Sequence, residues 1–252
     1  MTVPLKKVLI VGSAPDAVRA SEWDTSFFAH TLVINNAWKA FSSWDTLIFP
    51  EDFPQDNRPA STQIGGRKIV TAKDFVPVQN DFGGFVYAGG TMCFTAGYWA
   101  LGALQPDVIA YLGCDMVYET HAGSHTHFYG QGKADPLRPD VTLQSLEAKS
   151  LRLLALAQNQ GCSVVNLSQR PKSRLMIPRV TLQALQDCDY KPQKLPISTQ
   201  AVKAALLAES QLGYWVPSGK YWEEIERFNK LKLSHIDALW LAIATDTQCQ
   251  AA

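Results

Sequence analysis

Short apolar runs recur along the chain, each stopped by small or polar residues: KKVLIVGSA, HTLVINNA, DTLIFPED, RKIVTAKD, GFVYAGGT, DVIAYLGCD and CSVVNLSQ. Several are apolar at every position rather than at alternate ones, the pattern of strands covered on both faces. Helical patterns lie between some of them. TMCFTAGYWALGAL, at 91–104, predicts a buried helix. Residues 140–161 predict an amphipathic one, with Leu143, Leu146, Leu153, Leu154 and Ala157 on one side, Asp140 or Thr142 to cap its start and Gly161 to end it. Strands alternating with helices predict an α/β fold, an open, doubly wound, mostly parallel sheet of the Rossmann-like kind.

Past residue 178 the strand-like runs stop. RVTLQALQDC, STQAVKAALLAESQLG, KYWEEIERFNKLK and SHIDALWLAIATDT all read as helices, and DYKPQKLP reads as a linker. The expectation is therefore a Rossmann-like nucleotide-binding domain over 1–178 and a helical extension over 179–252. Trp215, Trp222 and Trp240 give that extension enough apolar surface to pack on the core or on a second copy in a homo-oligomer.

Composition narrows the function classes. Lys plus Arg and Asp plus Glu are equal at 23 each, so net charge draws the chain toward neither nucleic acid nor membrane, and an anionic ligand needs a local site. The five cysteines are scattered with no CxxC, and Cys93 and Cys114 sit in apolar runs, which suits a reducing cytoplasm better than secretion. The apolar stretch VLIV near the N-terminus is too short for a signal sequence or a membrane span.

Candidate chemistry lies where strands end, because open parallel sheets bind ligands at the carboxyl ends of their strands. Gly12-Ser13-Ala14-Pro15 can make a tight turn into a helix whose free N–H groups attract an anion, or a plain strand-to-helix turn. It is not GxGxxG, which disfavours a generic nicotinamide fold. Asn35 and Asn36 can read a sugar hydroxyl or a base edge, or cap a helix. Glu51 and Asp52 can orient a ribose, bind a metal or face solvent. Gly89-Gly90-Thr91 opens the apolar helix and offers either a phosphate cradle or a packing glycine pair. Asp115 ends the DVIAYLGCD strand, and Tyr118, His121, His125, His127 and Tyr129 follow closely. Three histidines of the chain's five in one loop fit a solvated loop, a metal site or a proton-transfer lid; no HExxH or cysteine pair supports zinc. Arg170, Lys172, Arg174 and Arg179 make a local basic run that could clamp a second phosphate or line a solvated turn.

Taken in order, VLIVGSAPD, LVINNAW, LIFPEDF, AGGTMCFTAGYWALG and VIAYLGCDMVY resemble the strand-end motifs of small bacterial sialyltransferases of glycosyltransferase family 42, over about residues 7–170. The resemblance implies a CMP-sugar donor with no metal requirement. Gly12, Ser13 and Asn36 would then face the nucleotide, Gly89, Gly90 and Thr91 the phosphate, and Asp115 and Tyr118 the sugar. The family's first-loop Asn is Ser13 here, its strand-three Asn falls at Pro50 or Glu51, and its catalytic His falls near Thr142. His127, or else His125, is the candidate base in its place. The chain also resembles pterin diphosphokinase-like proteins, which implies a nucleotide with Mg²⁺ held by carboxylates such as Asp115. A non-catalytic nucleotide-binding or assembly protein is the third class.

Overall fold

The computed structural model describes residues 4–118, 125–130 and 140–244. Six runs form one open, wholly parallel sheet: β1 (Lys7–Val11), β2 (His30–Ile34), β3 (Thr46–Ile48), β4 (Lys68–Val70), β5 (Val108–Leu112) and β6 (Ser163–Asn166), in the order β4-β3-β2-β1-β5-β6. β1 is central: Leu9 is paired with Thr31 of β2 on one side and Ala110 of β5 on the other. The winding direction reverses between β1 and β5, which is where a crevice opens in such sheets.

The continuous apolar runs are explained by the two faces. Val8, Ile10, Leu32, Ile34, Ile109, Tyr111 and Val164 point into one core, and Leu9, Val11, Val33, Val108, Ala110, Leu112 and Val165 into the other. Alternate side chains of a strand point to opposite faces, so burial on both leaves no polar positions. The helices are α1 (Ser61–Ile64), α2 (Ala72–Asp81), α3 (Phe85–Ala88), α4 (Met92–Trp99), α5 (Leu146–Asn159), α6 (Leu182–Gln186), α7 (Thr199–Leu212) and α8 (Lys230–Leu241). Buried side chains of α2, α3, α4, α5, α7 and α8 belong to the first core. The second is closed by Ala17, Ala20 and Ala37 from two 3₁₀ segments, Pro15–Glu22 and Asn35–Lys39, and by Leu185 of α6. Small side chains there let the tighter helices lie close to the strands.

Two expectations change. GFVYAGGT is not a strand: Gly83 and Gly84 take φ of +87° and +81°, and Phe85–Ala88 then form one buried helical turn. A short run that is apolar throughout carries no period by which to tell strand from buried helix. The amphipathic helix begins later than its polar signals suggest. Asp140 caps a separate 3₁₀ turn, Val141–Leu143, by accepting from Thr142 N at 2.7 Å, and Ser145 caps α5 by accepting from Ala148 N at 3.1 Å.

The helical extension packs on the core. α8 lies against α5 and α7, and Trp240 is fully buried, whereas Trp215 and Trp222 are exposed. Buried ion pairs fasten it. Arg152 of α5 makes a two-pronged pair with Glu209 of α7, Nε to Oε1 and Nη2 to Oε2 both at 2.8 Å. It also donates to Tyr98 Oη and the Phe82 carbonyl, and Trp240 Nε1 donates to Glu209 Oε1. One turn earlier, Lys149 Nζ meets Asp237 Oδ1 of α8 at 2.7 Å. Such pairs tolerate the loss of neither partner, because the survivor is left charged and dry. Among the described residues no helix is long and apolar enough to cross a membrane.

Glu209→Ala strands the Arg152 guanidinium and is expected to lower unfolding free energy by about 3–5 kcal/mol, read from the urea midpoint at constant m-value. A change below about 1 kcal/mol, the scale of an exposed pair, would show that the pair is not buried as described.

Candidate functional site

The carboxyl ends of β1, β2, β3 and β5 surround a cleft of about 410 Å³. Its floor is built by backbone. Gly12 N donates to the Leu112 carbonyl at 2.8 Å and Ala14 N to the Gly113 carbonyl at 2.9 Å, so the turns after β1 and β5 clasp each other. Neither turn has space for a side chain. A Cβ on Gly12 would lie 2.4 Å from the Gly113 oxygen, and Gly113 itself sits at φ +69° with Ala17 Cβ 2.8 Å from where its own Cβ would be. With the N–H groups of Gly12 and Ala14 spent on this clasp, Ser13 is left between them on the cleft wall.

Asn35 and Asn36 follow β2 and line the opposite wall. Their side-chain carbonyl oxygens are buried without a protein partner. Asn35 also holds φ +50°, and Met116, another wall residue, holds φ +53°. Unpaired buried acceptors and left-handed non-glycine residues both cost free energy, and both concentrate at functional sites.

The described part of the histidine loop reaches the cleft through His127 and Tyr129. Phe128 N donates to the Ser13 carbonyl at 3.0 Å, and His127 and Gly130 exchange backbone bonds at 3.0 Å each. This pins His127 at the rim, nearly buried, with its ring stacked 4.9 Å from Tyr129 and 5.7 Å from Tyr118. Thr126 Oγ1 lies 2.8 Å from His127 Nδ1 and donates its own proton to the Gly130 carbonyl at 3.4 Å. The tautomer with its ring proton on Nδ1, donating to that hydroxyl, leaves Nε2 as the bare nitrogen. Burial lowers the imidazole pKa below its ordinary value. Burial, with the Cys93 and Cys114 thiols alongside, raises that of the Tyr118 phenol well above its own, Arg170 pulling weakly the other way. Near neutral pH the site thus holds an unprotonated imidazole beside a protonated phenol.

Of the residues singled out from sequence, Gly12, Ser13, Asn35, Asn36, Asp52, Thr91, Tyr118, His127 and Tyr129 line this cleft. Gly89, Gly90, Asp115 and His125 do not, and His121 lies outside the described residues. Gly89, at φ +87°, packs against Lys149, Leu143 and Phe94. The Gly90 N–H is taken by Thr142 Oγ1 at 3.2 Å, and a Cβ there would run into Tyr221. These are packing glycines, and the phosphate cradle expected of them reduces to Thr91 at the helix start. Asp115 is fully buried beneath the site, where its carboxylate accepts from Ser168 Oγ at 2.7 Å and Asn166 Nδ2 at 3.3 Å and anchors the loop after β6. Neighbouring Asp16 is raised by burial and then by Asp115.

The basic run serves the fold as well. Arg174 pairs with Glu147 at 2.8 Å, Arg179 donates to the Ser168 and Arg170 carbonyls, and none of the four residues lines the cleft. The carboxylate that does line it is Asp52. Among the described residues the one triad of potential metal ligands, Asp187, Cys188 and Asp189, is exposed and separate from the cleft.

Pro50, Asp52 and Met92 are shared with a second compartment of about 510 Å³. One wall of it comes from the helical extension, over 218–225, which sequence reasoning did not connect with the site. Tyr221 Oη donates to Asp140 Oδ2 at 2.7 Å, while Asp140 Oδ1 accepts from Thr142 N and Oγ1. The dense aromatic and acidic spacing of YWEEIE is the trace this leaves in the sequence.

No protein-family model, no curated protein and no solved structure matches this chain.

His127 titrates below its unfolded value of about 6.5, so the unfolded chain takes up that proton first as pH falls. The histidine contributes no penalty above about pH 6.5 and destabilises the fold progressively below it. His30, lowered chiefly by burial and opposed by Asp45, acts in the same sense. His127→Asn should therefore lose less stability than the parent between pH 7 and 5, and two-dimensional NMR should place the His127 midpoint below the ordinary value of about 6.5. A midpoint at that ordinary value would mean that His127 is solvated. Gly12→Ala should cost about 1–3 kcal/mol by overpacking the clasp, read as a lowered thermal midpoint.

Proposed function

We propose that the chain is a nucleotide-sugar-dependent transferase of the sialyltransferase kind, using a CMP-sugar donor and a histidine base. What supports this is the convergence, at the sheet's switch point, of a backbone clasp, unpaired asparagine acceptors, a protonated phenol and an unprotonated imidazole within one cleft. The strand-end motifs that carry Gly12, Asn36 and Tyr118 fall in the order of the family that the sequence resembles, while His127 stands in for a histidine that the family places near Thr142. Asn35 and Asn36 offer carbonyl oxygens to the amino group of a cytosine or to ribose hydroxyls. Ser13 and Thr91 offer hydroxyls to the phosphate.

In this reading the acceptor hydroxyl oxygen attacks the anomeric carbon while its proton passes to His127 Nε2. The bond from that carbon to the phosphate oxygen breaks, and its electron pair leaves on CMP. Tyr118 stabilises that leaving phosphate by donating its phenolic hydrogen. Base catalysis by a positioned imidazole contributes on the order of 10²–10⁴ in rate. His127 serves as the base here, and His125, exposed outside the cleft, does not. The alternative of a magnesium-dependent diphosphokinase fits the donor set less well, because Asp115 is fully buried, tied to Ser168 and Asn166, and does not line the cleft. A metal would fall to Asp52.

His127→Asn should reduce CMP release from a CMP-sugar by about 10²-fold or more while leaving the thermal shift produced by CMP unchanged, and parent turnover should persist in EDTA. Loss of activity in EDTA together with stabilisation by ATP only when Mg²⁺ is present would replace this reading with the diphosphokinase one. The absence of a shift with CMP, CDP, ATP or GTP would favour an assembly protein.

A further inference from the structure

The second compartment has a composition that the first lacks. Phe75, Val76 and Phe85 form an apolar back, and Trp222 and Ile225 stand exposed at its edge, 56% and 43% accessible, so the chain leaves large apolar side chains in water beside an opening. The same compartment is lined by oxygen acceptors, the carboxylates of Glu51, Asp52 and Asp140. Asp140 is held rigidly: Oδ1 is filled by the two bonds from Thr142, while Oδ2, with one bond from Tyr221, retains capacity to accept another. Trp222 meets Tyr221 edge-on, with ring centroids 5.5 Å apart and planes at 76°, which orients its indole at the mouth. Lys220 is the one cation among the lining residues, against three acids, so the field disfavours an anion.

A ligand for this compartment must be uncharged or cationic, must present hydroxyl or amino donors on one side, and must cover an aromatic ring with an apolar face on the other. A neutral pyranoside meets all three conditions, since its C–H face covers an indole while its hydroxyls donate to carboxylates. We propose that the compartment walled by 218–225 is a neutral-saccharide site, with Trp222 as the stacking platform and Asp140 and Asp52 as hydroxyl acceptors. Because Pro50, Asp52 and Met92 belong to both compartments, a saccharide there abuts whatever fills the first cleft. Its role as the acceptor rests on the transferase reading above; its binding does not. The helical extension would then select the acceptor, while the sheet holds the donor.

The test is direct binding by saturation-transfer NMR and calorimetry on the full chain, without any donor. The panel is the methyl β-glycosides of glucose, galactose and N-acetylglucosamine, with lactose, and methyl galacturonoside as the anionic control. At least one neutral member should bind, the galacturonoside at least tenfold more weakly than its galactose counterpart. Trp222→Ala should weaken neutral binding at least tenfold, Trp222→Phe should restore most of it, and neither should alter the affinity for CMP. Trp222 is exposed, so these variants should keep the parent unfolding midpoint. Failure of every neutral saccharide to bind, or binding indifferent to Trp222→Ala, overturns the proposal. Saccharide binding that needs Trp222 in a protein that does not bind CMP would sustain it while removing the transferase reading.

Discussion

The clasp between the turns after β1 and β5 is the constraint from which the cleft follows. Two parallel neighbours whose crossovers leave in opposite directions must separate at their ends. Here they separate only after two backbone hydrogen bonds hold Gly12 and Ala14 against Leu112 and Gly113. The floor is consequently main chain, too close for a side chain on either glycine. The residues just beyond inherit their directions from it. Ser13 presents its carbonyl to Phe128, which fixes His127, and Met116 is turned into a left-handed conformation as the β5 loop departs. A change of a few tenths of an ångström in the floor would thus be felt at the imidazole.

Burial then sets the chemistry of the cleft. Withdrawal from water disfavours the charged form of any group, so it pushes a phenol and an imidazole in opposite directions on the pH scale. Both Tyr118 and His127 end neutral, one a donor and the other an acceptor. In the proposed transferase, a donor and an acceptor of protons side by side at neutral pH would serve an anionic ligand with a departing phosphate. An additional cation would bind the ligand more tightly but would also favour its ground state.

Sequence patterning reached the sheet because two-faced burial forces unbroken apolar runs such as VLIV and VIAYL, and the strand-end rule led from there to Gly12, Ser13, Asn36, Thr91, Tyr118 and His127. It missed where one sequence signal has several physical causes. Phe85–Ala88 is too short to show a period. Asp115 carries the same carboxylate whether it faces a ligand or ties down Asn166 and Ser168. The Gly89-Gly90 pair answers equally to a phosphate and to the crowding of Lys149 and Tyr221. Above all, Tyr221 meets Asp140 across 81 positions, and no local pattern announces a contact between an interhelical turn and a segment so distant.

The charged residues that join α5 to α7 and α8 impose an order of events. Lys149 and Arg152 are translated well before Glu209 and Asp237, and each is almost wholly dry once the fold is complete. A nascent chain that has emerged only through β6 therefore owns a full parallel sheet but cannot close the helical layer above it, since doing so would trap two unneutralised cations in oil. The ionic contacts thereby couple closure of the core to the extension that supplies Glu209 and Asp237 and walls the second compartment.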